Sequence, residues 1–426
     1  MIDRLKPKSE FSRNVLTLMT GTTIAQAIPI AITPILTRLY TPEEFGLLAL
    51  FMSISGVLAA IATMRYELAI MLPRNNEEAS DVFWLSIMIS GGISLILLFI
   101  VMFFGGDISV ILGSLEIAAW LYLVPISVFF TGIYQSLNYW NTRAKQFPNV
   151  AKSKVLQTTM VSSTQLALGY SVFKGAGLIL AATFGQVVST VYLIGKLRRD
   201  SGLKSFRFKG LIAASKKYKK FPLVSAWGAM FNKFALQMPI FVITKFFSAG
   251  MAGQFSLTYR VLNVPMALIG TSVSQVLFQK IVELHDQQPE KLKVYLLQIF
   301  FLLLLPMIPM IVVLFFWGEQ IFQVVFGLDW VGAGTIASTL SFAVAIKFAV
   351  SPLSMVLAMD HNLKLGTLWQ TLYLVTLTLT LLWASQFELE KFVIIFVIHE
   401  VILYTIYFTF ILKGAENMKE NQQGVR

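Results

Sequence analysis

Long apolar segments alternate with short polar ones along almost the entire chain. A helix that crosses a bilayer needs about 20 mostly apolar residues, and twelve segments reach that length. The predicted spans are 14–37, 44–71, 81–104, 115–138, 150–173, 175–197, 222–247, 252–280, 294–316, 333–358, 363–385 and 390–412. The pattern therefore predicts an all-α integral membrane protein with twelve transmembrane helices. No predicted outside loop exceeds the segment 317–332.

Lysine and arginine residues lie mainly on one predicted side of these spans. With the N-terminus placed inside, and basic residues near the ends of spans counted with the adjoining segment, 26 of the 34 fall on the inside and four on the outside. The remaining four lie deep within spans. Positive loops are retained in the cytoplasm, so the asymmetry predicts that both termini are cytoplasmic. The first apolar run is too long for a signal-peptide core, and no small-residue cleavage site ends it. We therefore expect it to remain as the first span.

The amino-acid composition favours a membrane protein and excludes several kinds of functional site. The chain is 56% hydrophobic and 13% charged, whereas soluble domains carry about 25% charged residues. The absence of cysteine excludes disulfides and cysteine-based metal sites, and the three histidines are too scattered for a zinc motif. The net charge of +12 does not indicate nucleic-acid binding, because the positive residues follow one membrane face. We predict neither a metal nor a cofactor, and the sequence has no P-loop motif for an ATPase.

A long basic connector divides the spans into two groups of six. It covers 198–221, and we predict an amphipathic helix on the membrane surface there, as an interfacial anchor or as a site for lipid headgroups or a partner. The predicted domains are thus a bundle at 1–197, the connector, and a second bundle at 222–426. At an offset of 210, Ala25, Pro29, Ile30, Phe45 and Leu47 align with Ala235, Pro239, Ile240, Phe255 and Leu257. Parallel halves of this kind predict two six-helix bundles around a central cavity that opens to alternate sides.

One lysine interrupts the apolar run "WGAMFNKFALQMPIFVITKFF" at 227–247. Lys233 lies 13 residues from Lys220 and 12 from Lys245, or about 20 Å from each along a helix. A lone charge near the bilayer midplane costs at least ~2.5 kcal/mol. Its presence there predicts a function, since membrane-embedded charges usually face a bundle interior or a watery cavity.

Three further cations lie within predicted spans, namely Arg65, Arg260 and Lys347. The main candidate acids within spans are Glu67 and Glu400, so the embedded charge has a positive excess. This excess predicts an anionic ligand bearing phosphate or carboxylate, because arginine and lysine both bind such groups. Internal salt bridging is the alternative for each cation. Arg65 with Glu67 is interpreted either as a cytoplasmic gate pair or as an interfacial anchor.

Polar residues near these charges extend the candidate set. Asn232 and Gln237 share a span with the central lysine, and amides beside a cation suit a sugar- or phosphate-bearing cargo; helix–helix hydrogen bonding is the alternative. Arg38 marks the outer end of the first span. His399 and Glu400, together with the acid of the second span, are candidates for coupling transport to an ion. A local hydrogen bond is the alternative for the histidine.

Three stretches carry a resemblance to a known family. The segments "LTRLYTPEEFGLLALFMSI" and "RYELAIMLPRNNEEA" resemble the N-terminal signature of Wzx-type polysaccharide (O-antigen) flippases. The segment "AGQFSLTYRVLNVPMALIGTSVSQVLF" resembles the span 7–8 region of the same proteins. They belong to the multidrug/oligosaccharidyl-lipid/polysaccharide exporter superfamily, whose members have twelve helices in two bundles around a central cavity.

The resemblance implies transfer of undecaprenyl-diphosphate-linked oligosaccharide from the cytoplasmic to the periplasmic leaflet of a bacterial inner membrane. It implies a cationic role for Arg65, Lys233, Arg260 and Lys347, more weakly for Arg38, and coupling to an ion gradient. Membrane lipids and other polysaccharide assembly proteins are the implied partners. A multidrug exporter of the same superfamily and a membrane polysaccharide polymerase are the alternatives. A multidrug exporter should prefer an acidic cavity for cationic drugs, whereas the embedded charge here has a positive excess. Many membrane polymerases carry a sizeable extramembrane loop, whereas the predicted loops here are short.

Overall fold

Helices account for nearly all of the regular structure. The computed structural model describes residues 10–171, 174–200, 202–358 and 363–425, and these residues contain no β-strand. The α-helices are α1 (Glu10–Leu39), α2 (Pro42–Ala59), α3 (Tyr66–Ala69), α4 (Asn76–Ile111), α5 (Ile117–Leu121), α6 (Leu123–Arg143), α7 (Phe147–Gly169), α8 (Lys174–Asp200), α9 (Phe208–Lys217), α10 (Ala226–Phe246), α11 (Ala249–Gln287), α12 (Pro289–Leu304), α13 (Met307–Phe326), α14 (Val331–Val350), α15 (Leu363–Ala384) and α16 (Leu389–Val425). A π-helical turn at Phe221–Ser225 and 3-10 turns at Leu328–Trp330 and Ser351–Ala358 complete them.

The predicted all-α membrane class is confirmed. Every one of the twelve predicted spans coincides with one or more of these helices, and eight helical segments among the described residues are long and apolar enough to cross a membrane. Many large apolar side chains remain exposed on them, for example Phe103, which is 74% exposed. Such surfaces suit contact with lipid rather than with water.

Several predicted spans are interrupted helices. The second span breaks between α2 and α3, where Met64 and Arg65 adopt left-handed backbone conformations with φ of 49° and 63°. The ninth breaks at Pro306, which precedes α13 and cannot donate a backbone hydrogen bond. By contrast, α10 passes through Pro239 without ending.

The segment 317–332, predicted as the longest outside loop, is mostly helical. Helix α13 continues to Phe326, and the connection to α14 contains only Gly327 and the 3-10 turn that follows it. Gly327 ends the helix with a φ of 108°, a conformation that side-chain-bearing residues rarely adopt. Hydropathy alone did not show that the polar Glu319 and Gln320 lie within a helix.

Both N-terminal stretches that carry the resemblance contain helix starts. Pro42 is the first residue of α2, Thr41 caps it, and the Glu44 carboxylate accepts a 2.8 Å hydrogen bond from the Thr41 amide. Asn75 caps α4 by accepting a 2.8 Å hydrogen bond from the Glu78 amide. These side chains satisfy amides that a helix N-terminus leaves unpaired. The signature is therefore, in part, a pair of helix caps.

The chain forms two compact units, Met1–Gly253 and Gln254–Arg426. In the first, α1 packs on α7, α7 on α8, α4 on α6, and α2 on α10. In the second, α14 packs on α13 and α16, and α15 packs on α16. The predicted domain boundaries at 197 and 222 follow the order of the spans and stay a prediction.

A reciprocal contact joins the starts of α2 and α11 within the first unit. A methyl group on Gly46 would lie 1.8 Å from the carbonyl oxygen of Ala249, and one on Gly253 would lie 1.9 Å from that of Pro42. Pro42 and Ala249 are 207 positions apart, as are Gly46 and Gly253, which is three fewer than the offset of 210 that aligns the two halves. Two matching segments that pack about a local two-fold axis make contacts of this reciprocal kind.

The basic connector contains the predicted amphipathic helix, α9. Its inner face carries the buried Leu211 and Ala214 and packs on α4. Arg207 donates a 2.6 Å hydrogen bond to the nearly buried Asp81. The Glu78 carboxylate raises the pKa of Lys217 because it accepts a hydrogen bond from the ammonium group. This contact therefore persists at neutral pH and weakens as the pH rises through that elevated pKa.

Replacement of Arg207 by alanine is expected to release α9 from α4. The carboxylate of Asp81 would stay buried but lose the two hydrogen bonds that it accepts from Arg207. This loss should destabilise the contact of α9 with α4 by about 1–3 kcal/mol. Since the chain has no cysteine, Leu211→Cys supplies a single thiol that reports on opening. Its maleimide labelling should accelerate on the order of tenfold, as a change of ~1.4 kcal/mol in local opening predicts. Lys209→Ala is the matched control. Equal labelling rates in both variants would show that the Arg207–Asp81 contact does not hold α9 on α4.

Candidate functional site

The four embedded cations divide into two that have a carboxylate partner and two that do not. Arg65 forms an ion pair with Glu67, and Lys347 forms one with Glu400. Lys233 and Arg260 form no ion pair with any residue that the structure describes. The two candidate acids thus neutralise one cation in each compact unit. One cation in each unit is left over.

The first pair lies at the break between α2 and α3. Nη1 of Arg65 is 3.4 Å from Oε1 of Glu67, and the arginine side chain is 31% exposed while that of the glutamate is 2% exposed. Thr63 donates a hydrogen bond to the other carboxylate oxygen. The left-handed backbone of Arg65 turns the chain so that all three side chains meet. The pair is accessible through its arginine alone.

The second pair lies at the meeting of α14, α15 and α16. Glu400 is fully buried, and Lys347, whose side chain is 14% exposed, contacts one of its oxygens. The hydroxyl of Tyr373 donates a 3.0 Å hydrogen bond to the other oxygen. Nζ of Lys347 also lies 5.3 Å from the ring centroid of Tyr404 and 5.8 Å from that of Phe396. Two aromatic faces thus stabilise the same ammonium group.

His399 borders this second pair. Its Nε2 is 3.0 Å from the hydroxyl oxygen of Thr376, and its Nδ1 is 3.6 Å from Oε1 of Glu400. The latter separation is too long for a hydrogen bond, and Nδ1 has no hydrogen-bond partner among the described residues. The structure therefore brings Lys347, His399 and Glu400 into one buried cluster.

The two unpaired cations differ in exposure. Lys233 is exposed on α10, between a π-helical turn at Phe221–Ser225 and Pro239. Arg260 is half-buried on α11. Irregular turns of the π type often accompany functional sites. Within the part of the chain that the structure describes, these are the embedded cations still available to an external anion.

The remaining candidate residues have separate environments. Gln237 accepts a 2.9 Å hydrogen bond from Ser53 of α2, which is the helix–helix alternative. Asn232 is exposed on α10. Arg38 is exposed and donates a 2.6 Å hydrogen bond to the carbonyl oxygen of Pro34.

A cavity of about 680 Å³ lies among α1, α7 and α8. It is mainly apolar, with Lys152 and Tyr192 among its lining residues, and it contains none of the four embedded cations. The cavity therefore gives no support for anion binding by those cations.

Sequence reasoning missed the aromatic residues around the second pair. Trp369 stacks on Tyr407 with 4.1 Å between ring centroids, and Tyr373 and Tyr404 stand beside them. Trp369 and Tyr373 are four residues apart on α15, and Tyr404 and Tyr407 are three apart on α16. This spacing places each pair on one helix face. A search for aromatic faces within the spans would have found them.

The chain is similar in sequence to proteins of polysaccharide biosynthesis. Residues 35–334 match the sequence profile of the family described as polysaccharide biosynthesis protein. The succinoglycan biosynthesis transport protein ExoT of Rhizobium meliloti (strain 1021) is 24% identical over 324 residues, which are 74% of this chain and 62% of that protein. The chain thus spans less than two thirds of the length of that relative.

Solved structures of transporters share the fold. The lipid II flippase MurJ in an inward closed conformation aligns with a TM-score of 0.71 and 15% identity, over 93% of this chain and 87% of MurJ. An inward-facing multidrug resistance transporter of the MATE family aligns with a TM-score of 0.67 and 15% identity, over 94% and 96% of the two chains. At this identity the likeness establishes the fold alone.

Proposed function

Because this chain belongs to the polysaccharide biosynthesis protein family, we propose that it moves a lipid-linked oligosaccharide from one membrane leaflet to the other. The cargo is an undecaprenyl-diphosphate-linked repeat unit, carried from the cytoplasmic to the periplasmic leaflet of a bacterial inner membrane by alternating access. The observation that carries the proposal is the pair of embedded cations without a carboxylate, Lys233 and Arg260.

The chemistry of that cargo matches these cations. An uncompensated charge inside a membrane is costly, so an unpaired arginine or lysine there calls for an external anion. The planar guanidinium of Arg260 suits two phosphate oxygens, and the ammonium of Lys233 suits one. A polyprenyl tail can stay in lipid while the diphosphate moves. Lys233 and Arg260 therefore need to bind only the diphosphate headgroup of the cargo.

The family and the fold favour transport over catalysis. The chain is a multi-pass membrane transporter rather than an enzyme, in keeping with its family and with the transporters that share its fold. The name of its relative ExoT specifies succinoglycan transport. From that name we extend to this chain only the general class of cargo, a glycan; the diphosphate-linked lipid carrier is proposed from the embedded cations. Both termini are proposed to lie in the cytoplasm because the basic residues concentrate on that side.

Multidrug export is the second candidate, and the fold shared with MATE transporters favours it. Drugs of this kind are commonly cationic and need acidic partners. Both embedded candidate acids, Glu67 and Glu400, already have a basic partner. The unpaired cations thus favour the anionic cargo.

Replacement of Lys233 or Arg260 by alanine is expected to slow transfer of the lipid-diphosphate-linked repeat units. Each variant loses a charge-assisted contact worth about 1.5–3 kcal/mol, which corresponds to roughly 10- to 100-fold. The measurement is the leaflet in which the repeat units accumulate, in cells that lack this protein and express each variant. Lys391→Ala, an exposed lysine at the start of α16, is the matched control.

Full transfer by both alanine variants at normal protein levels would eliminate the cationic site. Accumulation on the cytoplasmic side in cells without the protein, relieved by the wild type, would establish flipping. A normal leaflet distribution combined with new drug sensitivity would instead support the exporter.

A further inference from the structure

Besides Lys233 and Arg260, a third embedded cation could bind an anion, but the Lys347 ammonium group is paired with the carboxylate of Glu400. We propose that Glu400 is a displaceable counter-ion, which neutralises Lys347 in the empty protein and takes up a proton when the diphosphate of the cargo binds that lysine. The inference rests on the proposed function, because it assigns a further binding residue for the same anionic headgroup. It adds a proton to the binding step.

Accessibility separates the roles of the two partners. Glu400 is fully buried, whereas the side chain of Lys347 is 14% exposed. An incoming phosphate can therefore reach the lysine without entering the core around the carboxylate. The lysine has a flexible four-carbon stem that can turn toward a new anion. The carboxylate, held by Tyr373 at 3.0 Å, stays in place.

Displacement of the lysine forces a change in the carboxylate. A buried carboxylate without a cation is strongly destabilised, so it binds a proton instead. In the balanced step, a buffer acid in the solution gives up one proton, Glu400 gains it and becomes a neutral acid, and Lys347 stays an ammonium ion that pairs with a phosphate oxygen. The bound anion replaces the carboxylate charge that the proton removes. The local charge is then conserved apart from the remaining charge of the cargo.

The surrounding groups can accept the neutral acid. Lys347 from α14, Tyr373 from α15, His399 and Tyr404 from α16 and Tyr259 from α11 are the charged or titratable groups that act on this pair. No second carboxylate from the described residues is among them. The proton on Glu400 therefore has no competing acid nearby.

His399 supplies the acceptor for the proton on the acid. If its Nε2–H donates to Thr376, then its Nδ1 is an acceptor, and this buried atom has no hydrogen-bond partner in the described structure. Nδ1 is 3.6 Å from the Glu400 oxygen. A protonated carboxyl that turns slightly can donate to it, which satisfies both groups. The cluster thus has an acceptor that the deprotonated state leaves unused.

The test measures protons taken up when a diphosphate binds. Purified full-length protein in detergent is titrated with farnesyl diphosphate, a short polyprenyl diphosphate, by calorimetry in two buffers of different ionisation enthalpy at neutral pH. The wild type is expected to take up about one more proton per bound diphosphate than Glu400→Gln does. Glu400→Gln should also bind on the order of tenfold more tightly, since its amide competes less for Lys347.

The double variant Lys347→Met/Glu400→Gln is the matched control. It binds through the remaining cations and reports the protons that the ligand itself gains or loses. Wild-type uptake that exceeds this value supports the counter-ion. Binding by the wild type with the same proton count as the double variant would overturn it, even if the single variant does not fold. If the wild type binds no farnesyl diphosphate, the proposed function fails together with this inference.

Discussion

Replacement of Gly46 by valine is expected to prevent the first compact unit from folding. Even a single methyl group at this position would lie 1.8 Å from the carbonyl oxygen of Ala249, and 2.5 Å from its carbon. Both are backbone atoms at the start of α11, so no side-chain rotation relieves the overlap. Only a shift of α2 against α11 would make room, and the reciprocal contact of Gly253 with Pro42 opposes that shift.

The size of the effect follows from the contact. Added atoms in a well-packed core usually cost 1–3 kcal/mol through strain, and an overlap with backbone exceeds that range, at more than about 4 kcal/mol. The measurement is the yield of monodisperse protein after detergent extraction, with the thermal midpoint of Gly46→Ala as a graded version. Gly56→Val on the same helix is the matched control, because nothing lies within 4 Å of a methyl group there. A wild-type thermal midpoint for Gly46→Ala would contradict the contact.

Replacement of Glu400 by alanine is expected to destabilise the second compact unit by about 3–5 kcal/mol. The variant leaves Lys347, whose side chain is only 14% exposed, beside Tyr404 and Phe396 with no carboxylate, and a largely buried charge without a partner carries most of its desolvation cost. The thermal midpoint in detergent should fall accordingly. It should fall further than for any exposed carboxylate in the same unit.

Two further variants isolate the cause. Lys347→Met/Glu400→Leu removes both charges and should recover most of the lost stability, since apolar residues of similar volume often replace a buried pair without loss. Glu283→Ala breaks the exposed pair with Lys280 and should cost less than about 1 kcal/mol. Equal losses for Glu400→Ala and Glu283→Ala would show that burial of the pair has no energetic consequence.

The spans were predictable because lipid imposes one rule on every crossing segment, an apolar length of about 20 residues. The interruptions were not, because they depend on local backbone states. Nothing in the apolar run 44–71 shows that Met64 and Arg65 turn left-handed. The caps at Thr41 and Asn75 were readable, since a threonine or asparagine followed three residues later by glutamate is a helix-start pattern. They were recognised only as a family resemblance.

The embedded charges were predictable one at a time, whereas their pairing required the structure. A charge in a span stands out against an apolar background, so Lys347 and Glu400 were visible at once. They are 53 positions apart, and only the packing of α14 on α16 joins them. Likewise, no local pattern shows that Gly46 meets Ala249. Whether Lys233 and Arg260 bind the cargo stays a prediction.

The extent of the first compact unit has a consequence for biosynthesis. Its helices include α10 and the start of α11, which follow the connector, and α2 makes its contacts with them through Ser53 to Gln237 and through Gly46 to Ala249. Domains fold in order as the ribosome delivers them. The first six spans are therefore inserted before the first unit is complete. Until residue 253 has been synthesised, the surface of α2 that contacts α10 and α11 has no partner. A chain that stops at residue 197 ends before that partner exists, and quality-control proteases would meet it in this unfinished state.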